Sequence, residues 1–200
     1  MSTDIKDDSN TLYPVFLKLH QLRVLLVGGG NVGYEKLSSL LSNSPDTVII
    51  IVAPIIRDEV RELVSQHPAC TIIQRNFEDA DLENKEIVIC ATDNKELHKR
   101  IKQLANAKKL LVNVADTPEL CDFYLGSIVQ KGNLKIAIST NGKSPTIAKR
   151  IKEVFNETIP DEIDSLLRNM QDIRNKMNGS FSEKVKQLDK LTQKLSQKQE

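Results

Sequence analysis

The sequence predicts an α/β fold built on a doubly wound parallel sheet, and three observations predict it. An apolar run, VLLVGG, ends in a glycine cluster and passes at once into a helix-like pattern, NVGYEKLSSLL, over residues 24–41. Runs rich in β-branched residues then alternate with amphipathic stretches as far as Asp116. Short polar links join them, as they join the strands and crossover helices of a parallel sheet. After Asp116 the alternation stops, and the pattern becomes that of a hairpin followed by helices. The expected architecture is therefore a Rossmann-type domain, then a β-hairpin segment, then a small C-terminal helical domain.

Each element follows from its own residues. QLRVLLVGGG makes a short buried strand ending at Gly28. Val32, Leu37, Leu40 and Leu41 fit a helix packed on it. TVIIIVAP, residues 47–54, is apolar on both faces, as a central parallel strand should be. A helix over IIRDEVRELVSQH places Ile56, Val60, Leu63 and Val64 at helical spacing. CTIIQ (70–74), EIVICAT (86–92) and LLVNVAD (110–116) read as further strands. DNKELHKRIKQLANAKK reads as the intervening helix, with Asp93 as its N-cap. FYLGSIVQ and LKIAIST flank KGN as a hairpin. The next helix takes Ser144 as N-cap and Pro145 at its first position. Beyond Pro160 two apolar stripes predict helices: Ile163, Leu166, Leu167, Met170, Ile173 and Met177, then Val185, Leu188, Leu191 and Leu195. Asn178-Gly179 separates them. The expected divisions are a flexible tail over 1–11, a dinucleotide-binding domain over 12–116, a dimerisation segment over 117–143 and the helical domain over 144–200.

Composition narrows the function. The 200 residues carry a formal net charge of +1, no Trp and few aromatics. Bulk charge therefore argues for neither nucleic acid nor an acidic membrane surface, and platforms for base stacking are not expected. No apolar run approaches the roughly 20 residues that span a bilayer. Cys70, Cys90 and Cys121 form no CxxC pair and read as reduced, buried thiols. The start, MSTDIKDDSN, is unlike a secretion signal. A cytoplasmic protein is expected.

Gly28, Gly30 and Gly33 match G-x-G-x-x-G between a strand and a helix. Gly28 permits the tight turn, Gly30 lets the backbone approach a pyrophosphate, and Gly33 lets the helix pack on the sheet. The helix amides and dipole favour the phosphates. A carboxylate for the ribose is expected about 20 residues on. Here the second strand ends Val52-Ala53-Pro54, and Asp58 and Glu59 lie further into the next helix. These residues leave NAD against NADP open, and Arg57 reads as an exposed first-turn arginine. Ala91, Thr92 and Asp93 fall at the carboxyl end of the fourth strand, where ligands of such sheets gather.

A second motif is more specific. VNVADTPELCDFYLGSIVQKGNLKIAISTNGKSPTIAKRIKE, residues 112–153, joins YPVFLKLHQLRVLLVGGGNVGYEK near the start and VAP and ATD between them. Together they resemble the precorrin-2 dehydrogenase / sirohydrochlorin ferrochelatase family, the siroheme synthase module that stands alone or is fused to a methyltransferase. The resemblance covers residues 12 to about 160 and implies NAD as oxidant, a homodimer, and a helical end that helps to cover the substrate. It places Asn31, Val32, Pro54 and Ile55 at dinucleotide-contacting positions and Asp116 at the proposed catalytic aspartate. Asn141 stands where a glycine is frequent, and asparagine tolerates left-handed backbone. Gly33 replaces a common alanine, and Thr140 a common serine.

The implied reaction removes a hydride and a proton from precorrin-2, giving sirohydrochlorin and NADH, so a proton acceptor is needed. Asp116 at a strand's carboxyl end suits that role; capping a turn before Thr117-Pro118 is the structural alternative. The family's second activity inserts ferrous iron, a substrate, and expels two pyrrole protons, one of which the same carboxylate could accept. The residues leave open whether this chain performs that step. It needs no tight metal site, and His20, His67 and His98 lack ligand spacing. The polycarboxylate substrate calls for a basic cleft, for which Thr140, Asn141, Lys143, Ser144, Lys149 and Arg150 around the SP helix are the candidates. A solvated helix face would explain the cations nearly as well. Two other functions compete: a dinucleotide-sensing regulatory module without catalysis, and a dehydrogenase of another substrate. The sensing module gives the hairpin and SP segment no role, and such modules usually carry the acidic ribose ligand that this second strand lacks.

Overall fold

A computed structural model of the protein describes residues 9–192. Residues 1–8 of the expected tail and Leu195 of the last stripe lie outside the described residues. Two compact units divide at Leu125/Gly126.

The first unit is built on β1 (Arg23–Gly29), whose residues 24–29 are all buried. It pairs in parallel with β2 (Val48–Ile56) on one side and β4 (Ile87–Cys90) on the other. β3 (Cys70–Ile73) and β5 (Leu111–Val114) extend the sheet to the order β3-β2-β1-β4-β5. The chain reverses its direction of winding between β1 and β4, which opens a crevice at their carboxyl ends. Alternation along each strand feeds two cores. Val24 and Leu26, with Ile49, Ile51, Ile87 and Ile89, meet Leu37, Leu40 and Leu41 of α1 (Asn31–Asn43) and Val60 of α2 (Asp58–Ser65). Leu25 and Val27, with Val88, Cys90, Val112 and Val114, meet Ile101 and Ala105 of α3 (Lys95–Ala107). Burying each of these large side chains contributes about 1.5–3 kcal/mol, so this two-faced sheet dominates the unit's stability.

Local differences from the predicted elements have physical reasons. β2 runs past Pro54 to Ile56, because pairing with β1 slips after Val27↔Val52 and resumes at Gly29↔Ile56. Pro54 lies inside that slip, where its missing N–H costs no ladder bond. α2 consequently starts at Asp58, not at Ile55. The N-cap of α3 is Asn94, not Asp93: Asn94 Oδ1 accepts from the Leu97 N–H at 3.0 Å. The three cysteines are free thiols, but Cys121 is only partly buried.

The second unit pairs β6 (Ser127–Lys131) antiparallel with β7 (Leu134–Ile138) through a two-residue turn, in which Gly132 has a φ of +55°. α4 (Pro145–Thr158) packs on this hairpin, with Val129 and Ala148 buried. Ser144 caps α4 by accepting from the Ile147 N–H at 3.2 Å, with Pro145 behind it at the first position. α5 (Ile163–Lys176) and α6 (Phe181–Thr192) follow. Asp164 at the start of α5 accepts from the Asn133 backbone N–H and Nδ2, both at 2.8 Å, tying the helix to the hairpin turn.

One buried ion pair in the first unit sets a pH-dependent term. Asp81, its side chain 5% exposed, accepts from both Arg75 terminal nitrogens at 2.6 and 2.8 Å and from the Glu78 N–H at 2.9 Å. Burial pushes its carboxyl up, but the Arg75 guanidinium and the Glu78 N–H outweigh that and hold it below the ordinary 3.8. A depressed folded value stabilises the fold above the unfolded pKa and is lost as pH falls through the folded one. Asp81→Ala should therefore cost about 1–3 kcal/mol at pH 7. Thermal melts at stepped pH should show the gap from wild type closing only below about pH 4.

Candidate active site

The glycine turn sits at the carboxyl end of β1, and its three glycines face different constraints. Gly28 has a φ of +125°, and a Cβ there would stand 2.2 Å from the Ala91 carbonyl oxygen, just past the end of β4. A Cβ on Gly33 would stand 2.3 Å from the Gly28 carbonyl oxygen, so the first turn of α1 rests directly on the end of β1. A Cβ on Gly30 would meet nothing within 4 Å. Gly28 and Gly33 are thus required by the protein's own backbone, whereas the space beside Gly30 opens outward.

Gly30 is the N-cap of α1, and no side chain caps that end; no acidic residue lies in its first turn. Its leading amides and dipole therefore remain available to an anion. Asn31 is exposed and Val32 half-buried at this end. Across from them, Pro54 is exposed and Ile55 is 79% exposed at the end of β2. Arg57, next along the chain, donates its backbone N–H to the Gly29 carbonyl at 3.0 Å and a terminal N–H to Asn31 Oδ1. Its guanidinium also grips Glu59 at 2.5 and 3.1 Å and, with the Glu59 backbone, holds that carboxyl down to about 2. Arg57 therefore braces the turn, a role beyond that of a solvated first-turn arginine. Only the pairing of β1 with the slipped end of β2 brings the two together.

The carboxyl ends of β4 and β5 supply the opposite wall. Ala91 is buried, Thr92 half-buried and Asp93 exposed. Asp116, just past β5, is exposed and has a φ of +56°, a left-handed backbone that aspartate adopts more readily than most residues. The segment after it is laced back onto β5. Asp122 accepts from the Val112 N–H at 2.9 Å, and Asn113 Nδ2 donates to the Phe123 carbonyl at 2.8 Å. Asp116 borders a cleft of about 180 Å³, also lined by Lys95, His98 and Lys99 of α3 and by Thr117 and Glu119.

His98 is the residue that spacing concealed. It is only 3% exposed, and its Nε2 lies 2.8 Å from Thr92 Oγ1. Burial lowers its pKa, against a smaller upward pull from Asp93. The sequence implied only an ordinary surface or packing histidine. Its place three residues before Ile101 on the buried face of α3 was the available signal, and its link to Thr92 is a short-range one, six residues back across the N-cap of the helix.

The remaining candidates lie in the second unit, around the N-terminus of α4. Thr140 Oγ1 donates to the Ser144 carbonyl at 3.1 Å and accepts from the Ser144 N–H at 3.3 Å, so its hydroxyl builds the turn. Asn141 has a φ of +54°. The Lys143 N–H donates to the Thr140 carbonyl at 3.0 Å. Lys149 and Arg150 are exposed on α4, and Arg150 pairs with Glu153 at 2.6 Å.

A nicotinamide dinucleotide fits the residues of the first unit. The open flank of Gly30 and the uncapped α1 suit a pyrophosphate, and exposed Ile55 offers an apolar surface for a flat ring. Such a cofactor, when bound, supplies the hydride-accepting ring.

Comparison with known proteins agrees with this geometry. The family described as "Putative NAD(P)-binding" matches residues 15–127, and the family described as "Sirohaem biosynthesis protein central" matches residues 131–154. The siroheme synthase of Pseudoalteromonas translucida (strain TAC 125) is 37% identical over 174 residues, 87% of this chain and 34% of the relative. That of Ruthia magnifica subsp. Calyptogena magnifica is 32% identical over 169 residues, 84% of this chain and 35% of the relative. The chain thus spans about a third of the length of these relatives. Among solved structures, SirC, a precorrin-2 dehydrogenase, superposes with a TM-score of 0.73 at 26% identity, covering 92% of this chain and 93% of that one. From the glycine turn, the strand order and these matches, the chain belongs to the family described as "Putative NAD(P)-binding", and it carries the central segment of sirohaem biosynthesis proteins.

Proposed function

We propose that the chain is an NAD-dependent precorrin-2 dehydrogenase, oxidising precorrin-2 to sirohydrochlorin. The observation that carries this reading is the superposition on SirC over nearly the whole of both chains, with the glycine turn and Asp116 at the carboxyl ends of one sheet. Gly28, Gly30, Asn31, Val32 and Gly33 would hold the pyrophosphate. Pro54 and Ile55 would flank the adenosine half, and Ala91, Thr92 and Asp93 the nicotinamide half. Glu59 engages the Arg57 guanidinium at two points, which leaves that cation poorly disposed to receive a 2′-phosphate and favours NAD over NADP. Asp116 accepts the proton released from the macrocycle as the hydride leaves. Thr140, Asn141, Lys143, Ser144, Lys149 and Arg150 are assigned to the substrate's carboxylates. Ferrous iron insertion into sirohydrochlorin would use the same Asp116 carboxylate for a pyrrole proton, with iron as substrate. Among the described residues no helix is long and apolar enough to cross a membrane, and the free thiols suit a reducing cytoplasm.

The two kinds of glycine separate binding from folding. Gly30→Val should melt close to wild type yet lose most NAD affinity, because its side chain would fill the open flank. Gly33→Val should lower the thermal midpoint sharply, because its side chain meets the Gly28 backbone. Calorimetric NAD titration beside thermal melts checks both. Unchanged affinity in Gly30→Val would remove the turn from the cofactor site.

Asp116→Asn keeps the shape and tolerates the left-handed backbone while removing the base. Turnover of precorrin-2, followed by sirohydrochlorin absorbance and NADH, should fall about 10²–10⁴-fold with NAD affinity retained. Near-normal turnover would make Asp116 a turn residue only. Iron insertion into supplied sirohydrochlorin, measured on the same variant, tests the second assignment.

Dimerisation is assigned to residues 117–140, where an antiparallel hairpin follows a parallel sheet. A second copy would also cover α4, which exposes Ile147, Ile151, Val154 and Phe155 at helical spacing. Sedimentation should give about 45 kDa, twice the chain's 22.5 kDa. A stable monomer at micromolar concentration would refute it.

A further inference from the structure

Thr92 stands beside the proposed cofactor, but its pairing with His98 has no role in the reading above. Thr92 lies at the carboxyl end of β4, and its Cγ2 would stand 3.2 Å from a Cβ on Gly28, so it borders the glycine turn. Its Oγ1 already accepts from the Asn94 N–H at 3.2 Å and lies 2.8 Å from His98 Nε2. The other ring nitrogen, Nδ1, is buried and has no hydrogen-bond partner. Burial disfavours the imidazolium and so favours the neutral ring, which carries one proton.

That proton has two places to sit. On Nδ1 it would create a buried N–H with no acceptor, the arrangement that folded proteins avoid most strictly. On Nε2 it is satisfied at once by Thr92 Oγ1, and Nδ1 keeps only a lone pair. In this second tautomer Thr92 Oγ1 accepts twice, from His98 and from Asn94. A hydroxyl has two lone pairs and one proton, so both acceptor sites are then filled. The Thr92 O–H can act only as a donor, and Thr92 is partly open to solvent.

We propose that His98 is a positioning residue that makes the Thr92 hydroxyl an obligate donor to an acceptor oxygen of the bound dinucleotide. This rests on the NAD reading above. His98 need not touch the cofactor: it fixes the direction of one proton at the edge of the glycine turn. Prepaid orientation of this kind favours binding, because the hydroxyl loses no rotational freedom when the ligand arrives.

The test uses NAD itself, with calorimetric affinity and thermal midpoint measured on the full chain. Thr92→Val and His98→Ala should each weaken NAD about tenfold. The double variant should be no weaker than Thr92→Val alone, since His98 acts through that hydroxyl. His98→Gln, which can present an amide N–H where Nε2 stands, should recover most of the affinity. Nitrogen-15 NMR of histidine-labelled protein, with His98 assigned by comparison with His98→Gln, should show a neutral ring protonated on Nε2. An Nδ1-protonated ring, or additive losses in the double variant, would overturn the proposal even if His98→Ala fails to fold. Wild-type protein that binds no NAD would instead overturn the dinucleotide reading beneath it.

Discussion

The close approach of α1 to the end of β1 is the contact on which the site depends. With only 2.3 Å between the Gly28 carbonyl oxygen and where a Gly33 Cβ would be, a side chain at Gly33 would force the helix and the strand end to move apart from this spacing. The same is true where Gly28 passes the Ala91 carbonyl. These two hydrogen-only contacts bring the amino end of a helix to the crevice where the sheet changes its direction of winding. They leave Gly30 with open space in front of it. A dinucleotide site follows from backbone packing before any side chain contributes.

Around that turn the polar side chains are mostly spoken for. Arg57 holds Asn31, Glu59 holds Arg57, Asn94 caps α3, and Asp122 is bound to the β5 backbone. Groups engaged in this way hold shape. The chemistry must come from groups whose capacity is not exhausted, and Asp116 and the Thr92 hydroxyl are the two that stand out in the first unit. Asp116 is exposed on a left-handed backbone beside a cleft, held there by the return of the following segment along β5. Strained or uncommon backbone at the end of a strand is a recurrent way of presenting a functional side chain.

In the second unit the balance differs. Thr140 and Ser144 spend their hydroxyls on the turn and the cap of α4, and Arg150 is paired with a neighbouring glutamate. Their value to a polycarboxylate ligand would therefore come from charge and backbone shape. Asn141 and Gly142, both with positive φ, set that shape.

The sequence by itself determined the doubly wound sheet, the hairpin, the glycine turn and the SP helix start. All of these rest on local rules: alternation, periodicity, capping and the steric freedom of glycine act between residues a few positions apart. The structure bears out the sheet and the hairpin, and it finds Ser144 and Pro145 at the start of α4 as the capping rules imply. Local rules also fail locally, as at the start of α2, which the register slip at Pro54 delayed, and at the cap of α3, where Asn94 displaced Asp93. What only the tertiary structure decided were relations across the sheet. Arg57 reaches Asn31, 26 residues away, because β2 pairs with β1 beyond the slip. A hydrogen bond formed across the ends of two paired strands depends on their register, which no single stretch of residues encodes.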